Sequence, residues 1–376
     1  MNEAKVFEEP SVPREGPLRN SEPGVNWYIQ STRPEAVGDR RAVNEWYSHF
    51  LDNGTALLSR LRSTDDVNHH QAVDELLVHH LLLRGSIAVA YEESGRSPDF
   101  RLYVGGDYIG GVEVASLFMR NDWSKEESRN GKLADQLNAR LPVGEWFVNF
   151  EIIRWNRSPS VRKLVSWVAK TVGELPPWDP SSGSTGLPSA LYTNGAVEIS
   201  FYFLPRRAGG PVGPDYRIVG ISGVLGGWVN SKDRLGTVLT AKAGSRYDLR
   251  GRPFAVFVSI HDTFCDEDDL VGALYGSEQV VVATGASIRA RDGIFGNSRA
   301  FPEGRNRRLS CVFAVMPGWS SRSADGLAVL RLDNPFADSP FPEGILPPAR
   351  RFTEVSRDER GISFGWTACS PEPQGS

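Results

Sequence analysis

The stretch Ser97-Pro98-Asp99-Phe100-Arg101-Leu102-Tyr103-Val104-Gly105-Gly106-Asp107-Tyr108-Ile109-Gly110-Gly111-Val112-Glu113-Val114-Ala115-Ser116-Leu117 constrains this chain most. Two runs of extended-type residues, 100–104 and 108–117, flank Gly-Gly-Asp, which reads as a β-hairpin with a short loop. If the loop is Gly105, Gly106 and Asp107, antiparallel pairing sets Asp99 opposite Glu113 on one face, with β-carbons about 5 Å apart. Carboxylates that close repel unless a cation or a proton lies between them. A slip of one residue would send them to opposite faces, so the pairing depends on the turn.

Around the hairpin, Val43, Trp46, Tyr47, Phe50 and Leu51 fall at helical spacing, and Asn53-Gly54 ends that helix. A second helix spans about 65–83, followed by a short apolar strand at 86–91. After the hairpin come a charged helix at 124–140 capped by Ser124, a strand at 146–153 and a helix at 160–174. Residues 65–153 thus form an α/β unit with a mixed sheet. The Pro- and Ser-rich stretch 175–190 reads as a loop or linker. Beyond it lie strands at 196–204 and 216–224, a helix at 231–249 and the strongest single strand at 253–260. Short strands at 279–283, 310–316 and 327–332 complete the pattern. The expected division is a loose arm over 1–25, an α/β unit over 26–174, a second α/β part over 190–345 packed on or continuing the sheet, and an irregular tail over 346–376.

At 376 residues the chain can bury a sizeable core, and 40% hydrophobic with 23% charged residues describes a soluble globular protein. A net charge of −4 gives no global attraction to nucleic acid, so such binding would need a local basic patch. Three widely spaced cysteines, Cys265, Cys311 and Cys369, form neither a metal-type pair nor an even disulfide set, which fits a reducing cytoplasm. The first ten residues lack an apolar signal core, and no uncharged run is long enough for a membrane span.

Two carboxylate oxygens at Asp99 and Glu113, with the carbonyl of Val114, make a hard-oxygen site suited to Mg²⁺ or Mn²⁺. A metal so held can orient water and stabilise the charge developing on a phosphodiester. The plain alternative is a surface hairpin whose acids face water. The helix end Leu81-Leu82-Leu83-Arg84-Gly85, a strand, Pro98-Asp99-Phe100 and Gly111-Val112-Glu113-Val114-Ala115 together resemble the PD-(D/E)XK nuclease superfamily, with its restriction-endonuclease-like fold. The resemblance covers residues 65–153 and includes element order. It implies metal ligation by Asp99 and Glu113, a supporting metal-side Glu75 on the helix, and DNA as substrate, in restriction or genome defence. A homodimer is compatible with it.

The motif's lysine position, two residues after Glu113, holds Ala115. Some members supply that lysine from a neighbouring helix. Lys242 sits on an otherwise fairly apolar helix, where a charge needs a partner, and is preferred to Lys132 on the helix after the hairpin. If neither serves, the chain is a catalytically inactive nuclease-derived domain that binds nucleic acid or a protein.

Arg154, Arg157, Arg162 and Lys163, with Trp155 and Trp167 interleaved, suit a nucleic-acid backbone and exposed bases, although most such charge runs are simply solvated. Arg305, Arg307 and Arg308 form a shorter cluster. The pairs His69-His70 and His79-His80 lie about 15 Å apart on one helix, too far to share an ion, and read as helix-surface or core-edge residues. Asp266-Glu267-Asp268-Asp269 lacks calcium-loop spacing and reads as a helix start. Gly220-Ile221-Ser222-Gly223-Val224 misses the nucleophile elbow, and Gly131-Lys132 lacks the upstream glycine of a phosphate loop.

Overall fold

The computed structural model describes residues 5–50, 56–85, 87–91, 96–119, 121–142, 144–175, 187–206, 217–221, 230–243, 247–281, 286–289, 292–296, 303–316, 327–358 and 361–369. In chain order the first elements are helices α1 (Asn26–Gln30), α2 (Pro34–Ser48), α3 (Ala56–Leu61) and α4 (Asp66–Leu83). Strands β1 (Ala88–Tyr91), β2 (Phe100–Val104) and β3 (Asp107–Leu117) follow, then α5 (Asn121–Asn138), β4 (Trp146–Trp155) and α6 (Val161–Gly173). Next come β5 (Ser189–Thr193), β6 (Val197–Pro205), β7 (Val219–Ile221), α7 (Ser231–Ala243), β8 (Phe254–Ile260) and α8 (Glu267–Tyr275). The last are β9 (Glu278–Val281), β10 (Ala286–Arg289), β11 (Cys311–Val315), β12 (Leu330–Asp333), β13 (Arg350–Asp358) and β14 (Gly361–Ala368). The class is α/β with mixed sheets and flanking helices.

The chain divides into two compact units, one of residues 1–9, 34–119 and 229–376, the other of 10–33 and 120–228. The first holds an eight-stranded mixed sheet in the order β1-β2-β3-β8-β11-β12-β13-β14. Every residue of β8 is buried, which suits a strand covered on both faces. It lies parallel to β3, with Glu113 level with Val256 and Ala115 with Val258. Ala115 and Leu117 join one apolar cluster with Leu235, Leu239 and Ala243, which seats α7 against that face of β3. The second unit holds a four-stranded sheet, β5-β6-β4-β7. Its core contains Leu133 and Leu137 from α5, Leu164 and Val168 from α6, and Phe150, Phe201 and Phe203 from the strands.

This division departs from the sequence-based one. The strand expected to close the 65–153 unit, β4, pairs with β6 and β7 instead of joining β1 to β3. Buried and half-exposed residues alternate along most of β4, as in a strand with one covered face, whereas the far side of β3 takes the wholly buried β8. Residues 5–25 are tied down: Phe7 exchanges two backbone hydrogen bonds with the Asn44 amide, and Asp135 accepts from the Asn20 and Ser21 backbones. The expected tail carries the hairpin β13–β14, whose Phe352 faces Trp366 across the strands. The expected three-residue turn has two residues, Gly105 and Gly106, with φ of 60° and 91°, values that favour glycine. A bulge in β3 at Ile109, opposite the step from Leu102 to Tyr103, compensates, so Phe100 still faces Val112.

The acidic run at 266–269 is a helix start, as read: Asp266 and Asp269 form a capping box on α8. Among the described residues no helix is long and apolar enough to cross a membrane.

Gly111 lies where backbones crowd. A β-carbon there would stand 2.6 Å from Pro98 Cγ, and Gly111 N–H donates to the Pro253 carbonyl at 3.0 Å. Gly111→Ala should therefore displace the segment leading into Asp99 and cost roughly 1–3 kcal/mol. Urea titration of both proteins checks this, and an unchanged midpoint would show that Pro98 yields freely.

Candidate metal and phosphoryl-transfer site

The β2–β3 pairing brings Asp99 and Glu113 together. Asp99 N–H donates to Glu113 Oε2 at 3.1 Å, and Val114 N–H donates to Asp99 Oδ2 at 2.7 Å. Each carboxylate thus accepts from the backbone of the other's strand. Glu113 is 3% exposed, and its remaining oxygen, Oε1, accepts from Lys242 Nζ at 2.6 Å. Lys242 reaches it because Leu235, Leu239 and Ala243 bury the same side of α7 against β3. Ala115, on the Glu113 face of β3, is small and lies within that contact.

Glu75, from α4, is also buried. Arg60 grips it with two hydrogen bonds, of 3.0 and 2.7 Å, and Tyr91 Oη donates at 2.8 Å. Its oxygens are therefore committed to the protein. Glu75 nevertheless acts on Asp99 through its charge. Burial first, then the charges of Glu113 and Glu75, push the Asp99 carboxyl up to about 7, against the weaker pull of Val114 N–H and Lys242.

Three carboxylates here face two fixed cations, Arg60 and Lys242, and the pressure falls on Asp99. Among the described residues no three His, Cys, Asp or Glu side chains form a ready metal cage. A divalent ion placed here would have to draw its protein oxygens from Asp99 and Glu113 and take the rest of its shell from water.

The other sequence candidates lie elsewhere. Lys132 is an exposed residue of α5, in the other unit from Glu113. Arg154, Arg157, Arg162 and Lys163 are exposed at the end of β4 and the start of α6, again in that unit, and Arg154 pairs with Glu198 at 3.3 Å. Arg307 pairs with Asp338 and Arg308 donates to the Tyr247 carbonyl, so both serve structure. The histidines are packing residues: His69 Nδ1 lies 2.7 Å from the Leu61 carbonyl, His79 packs on Phe50 and Phe100, and His80 stacks on Trp46. Burial lowers the pKa of His70 and of His79 to about 4.

Sequence reasoning missed Arg60 and Tyr91, which hold Glu75, and the group around Asp74. Asp74 is wholly buried, lies 2.9 Å from His261 Nε2 and accepts from Ser116 Oγ. His261 also stacks on Phe118. A buried acid beside Glu75 on one helix was a usable signal, but its partners come from β3 and the end of β8, far away in sequence. Compared with protein-family models, curated proteins and solved structures, the chain matches none.

The raised Asp99 pKa has a consequence for stability. Its folded value lies above the unfolded one, so ionisation disfavours the fold between about pH 4 and pH 7, fully so above 7. Asp99→Asn keeps an acceptor for Val114 N–H and removes the charge. In EDTA the variant should melt above the wild type at pH 8, and the gap should close as pH falls toward 4. Thermal melts at pH 8, 6 and 4.5 check this; a variant less stable at pH 8 would mean that Lys242 outweighs the repulsion.

Proposed function

We propose that this chain is a Mg²⁺-dependent nuclease hydrolysing phosphodiester bonds in DNA, with a PD-(D/E)XK-type site on a restriction-endonuclease-like core. The observation that carries the reading is Lys242 Nζ at 2.6 Å from Glu113, beside the Asp99 carboxylate, at a site where the motif strand itself offers only Ala115. Asp99 and Glu113 would hold the ion, which supplies charge neutralisation and an oriented water when bound. Lys242 holds one face of Glu113 and keeps an ammonium donor where negative charge develops on the phosphoryl oxygens. Glu75 supports the site at one remove, its charge balanced by Arg60. Arg154, Arg157, Arg162 and Lys163 are assigned to the nucleic-acid backbone.

A catalytically inactive nuclease-derived domain is the second reading. One observation favours it: the oxygens of Glu75 accept from Arg60 and Tyr91, and both oxygens of Glu113 accept from Lys242 and Asp99 N–H, so an ion would compete with bonds the chain already makes.

Cleavage of supercoiled plasmid and single-stranded DNA in Mg²⁺ separates the two. Wild type should cut, EDTA should stop it, and Asp99→Ala and Lys242→Ala should each lose about a hundredfold or more. Lys242→Ala should also cost roughly 1–3 kcal/mol, because it strips a charged hydrogen bond from buried Glu113. Mg²⁺ should raise the melting temperature of wild type but not of Asp99→Ala. No cleavage and no Mg²⁺-dependent shift would hand the chain to the second reading.

A further inference from the structure

The 120–228 unit contains a cavity of about 640 Å³ between α5, the end of β4 and the start of α6. That volume is typical of a small-molecule site. Arg129, Lys132 and Gln136 of α5 line one side, and Trp155, Ser158 and Val161 the other; no acidic residue is among the described residues of the lining. Leu133 and Pro159 add apolar wall.

Arg129 is only loosely matched by acceptors of the chain. Its guanidinium lies 5.0 Å over the Trp155 ring, and its Nε is buried with no hydrogen-bond partner. Its ion pair to Glu126 is loose, at 3.9 Å, and that carboxylate is half exposed. The side chain as a whole keeps 32% of its surface exposed, so its terminal nitrogens can meet an acceptor from outside the chain.

The start of α6 adds to this. Ser160 stands at the N-cap without a side-chain cap bond, and the first turn carries no acid. Arg162 and Lys163 occupy that turn instead, next to the positive end of the helix dipole, where cations are disfavoured. An anion seated at the turn would use its unpaired N–H groups and relieve the repulsion.

We propose that this cavity binds a nucleoside phosphate. Arg129, Lys132 and the first turn of α6 hold the phosphate, Ser158 and Gln136 offer further polar contacts, and the Trp155, Leu133 and Pro159 walls accept the nucleoside. The assignment does not rest on the nuclease reading.

The test is isothermal titration calorimetry of the full-length Asp99→Asn chain in EDTA, so that neither cleavage nor the Asp99 site contributes. The probes are AMP, adenosine, inorganic phosphate and a 5′-phosphorylated hexathymidylate. AMP should bind at least tenfold more tightly than adenosine, and Arg129→Gln or Lys132→Gln should each weaken it about tenfold. Lys132 is exposed, so Lys132→Gln tests the site with the fold intact even if Arg129→Gln does not fold. If only the oligonucleotide binds, with the same dependence on both residues, the phosphate assignment stands and its source is a strand. Measurable binding of AMP no tighter than that of adenosine, no binding of any phosphate probe, or affinity unmoved by Lys132→Gln would overturn the proposal.

Discussion

The bonds from Asp99 N–H to Glu113 and from Val114 N–H to Asp99 hold two acids where isolated charges would part. At the effective dielectric of a partly buried pair, unit charges about 5 Å apart repel by roughly 3 kcal/mol. Two N–H groups and one lysine ammonium oppose that repulsion, at 3.1, 2.7 and 2.6 Å. The rest of the first unit is arranged to keep the contact possible. Gly111 leaves room for Pro98, β8 closes the open edge of β3, and α7 is seated by apolar residues on either side of Lys242.

Alanine at 115 and lysine at 242 are linked by packing. Residues 113, 115 and 117 share a face of β3, and α7 covers it. A long side chain at 115 would occupy the space that Leu239 and Ala243 fill, whereas alanine lets the helix sit close enough for Lys242 to meet Glu113. A small residue on the strand and a lysine on the helix that covers it thus belong to one packing arrangement.

How much of this was legible depended on sequence distance. The hairpin and the facing of Asp99 and Glu113 came from local rules of turn chemistry and register, whereas Lys242 was singled out because the resemblance calls for a lysine and a charge on an apolar helix needs a partner, which Glu113 provides. The turn itself was misread by one residue, and the bulge hid the error by restoring the register below it. The assignment of β4 to the wrong sheet had another cause. Chain order favours neighbours in sequence, but β3 pairs with β8 well over a hundred residues on, and only the burial pattern of each strand separates the two choices. The Arg60–Glu75–Tyr91 contact was equally hidden, because a buried glutamate does not announce which cation or hydroxyl will hold it.

The balance of charge connects stability with the proposed chemistry. Arg60 answers Glu75 and Lys242 answers Glu113, so the unmatched negative charge falls on Asp99, whose carboxyl is pushed up to about 7. A third fixed cation would relax the fold and fill the place an ion needs. An amide at 99 would relax it too and remove a ligand. The proposed site is therefore one charge short by construction: the same deficit that disfavours the folded state at neutral pH is what would draw a divalent cation to it. In such an arrangement, binding the ion and stabilising the hairpin are a single event.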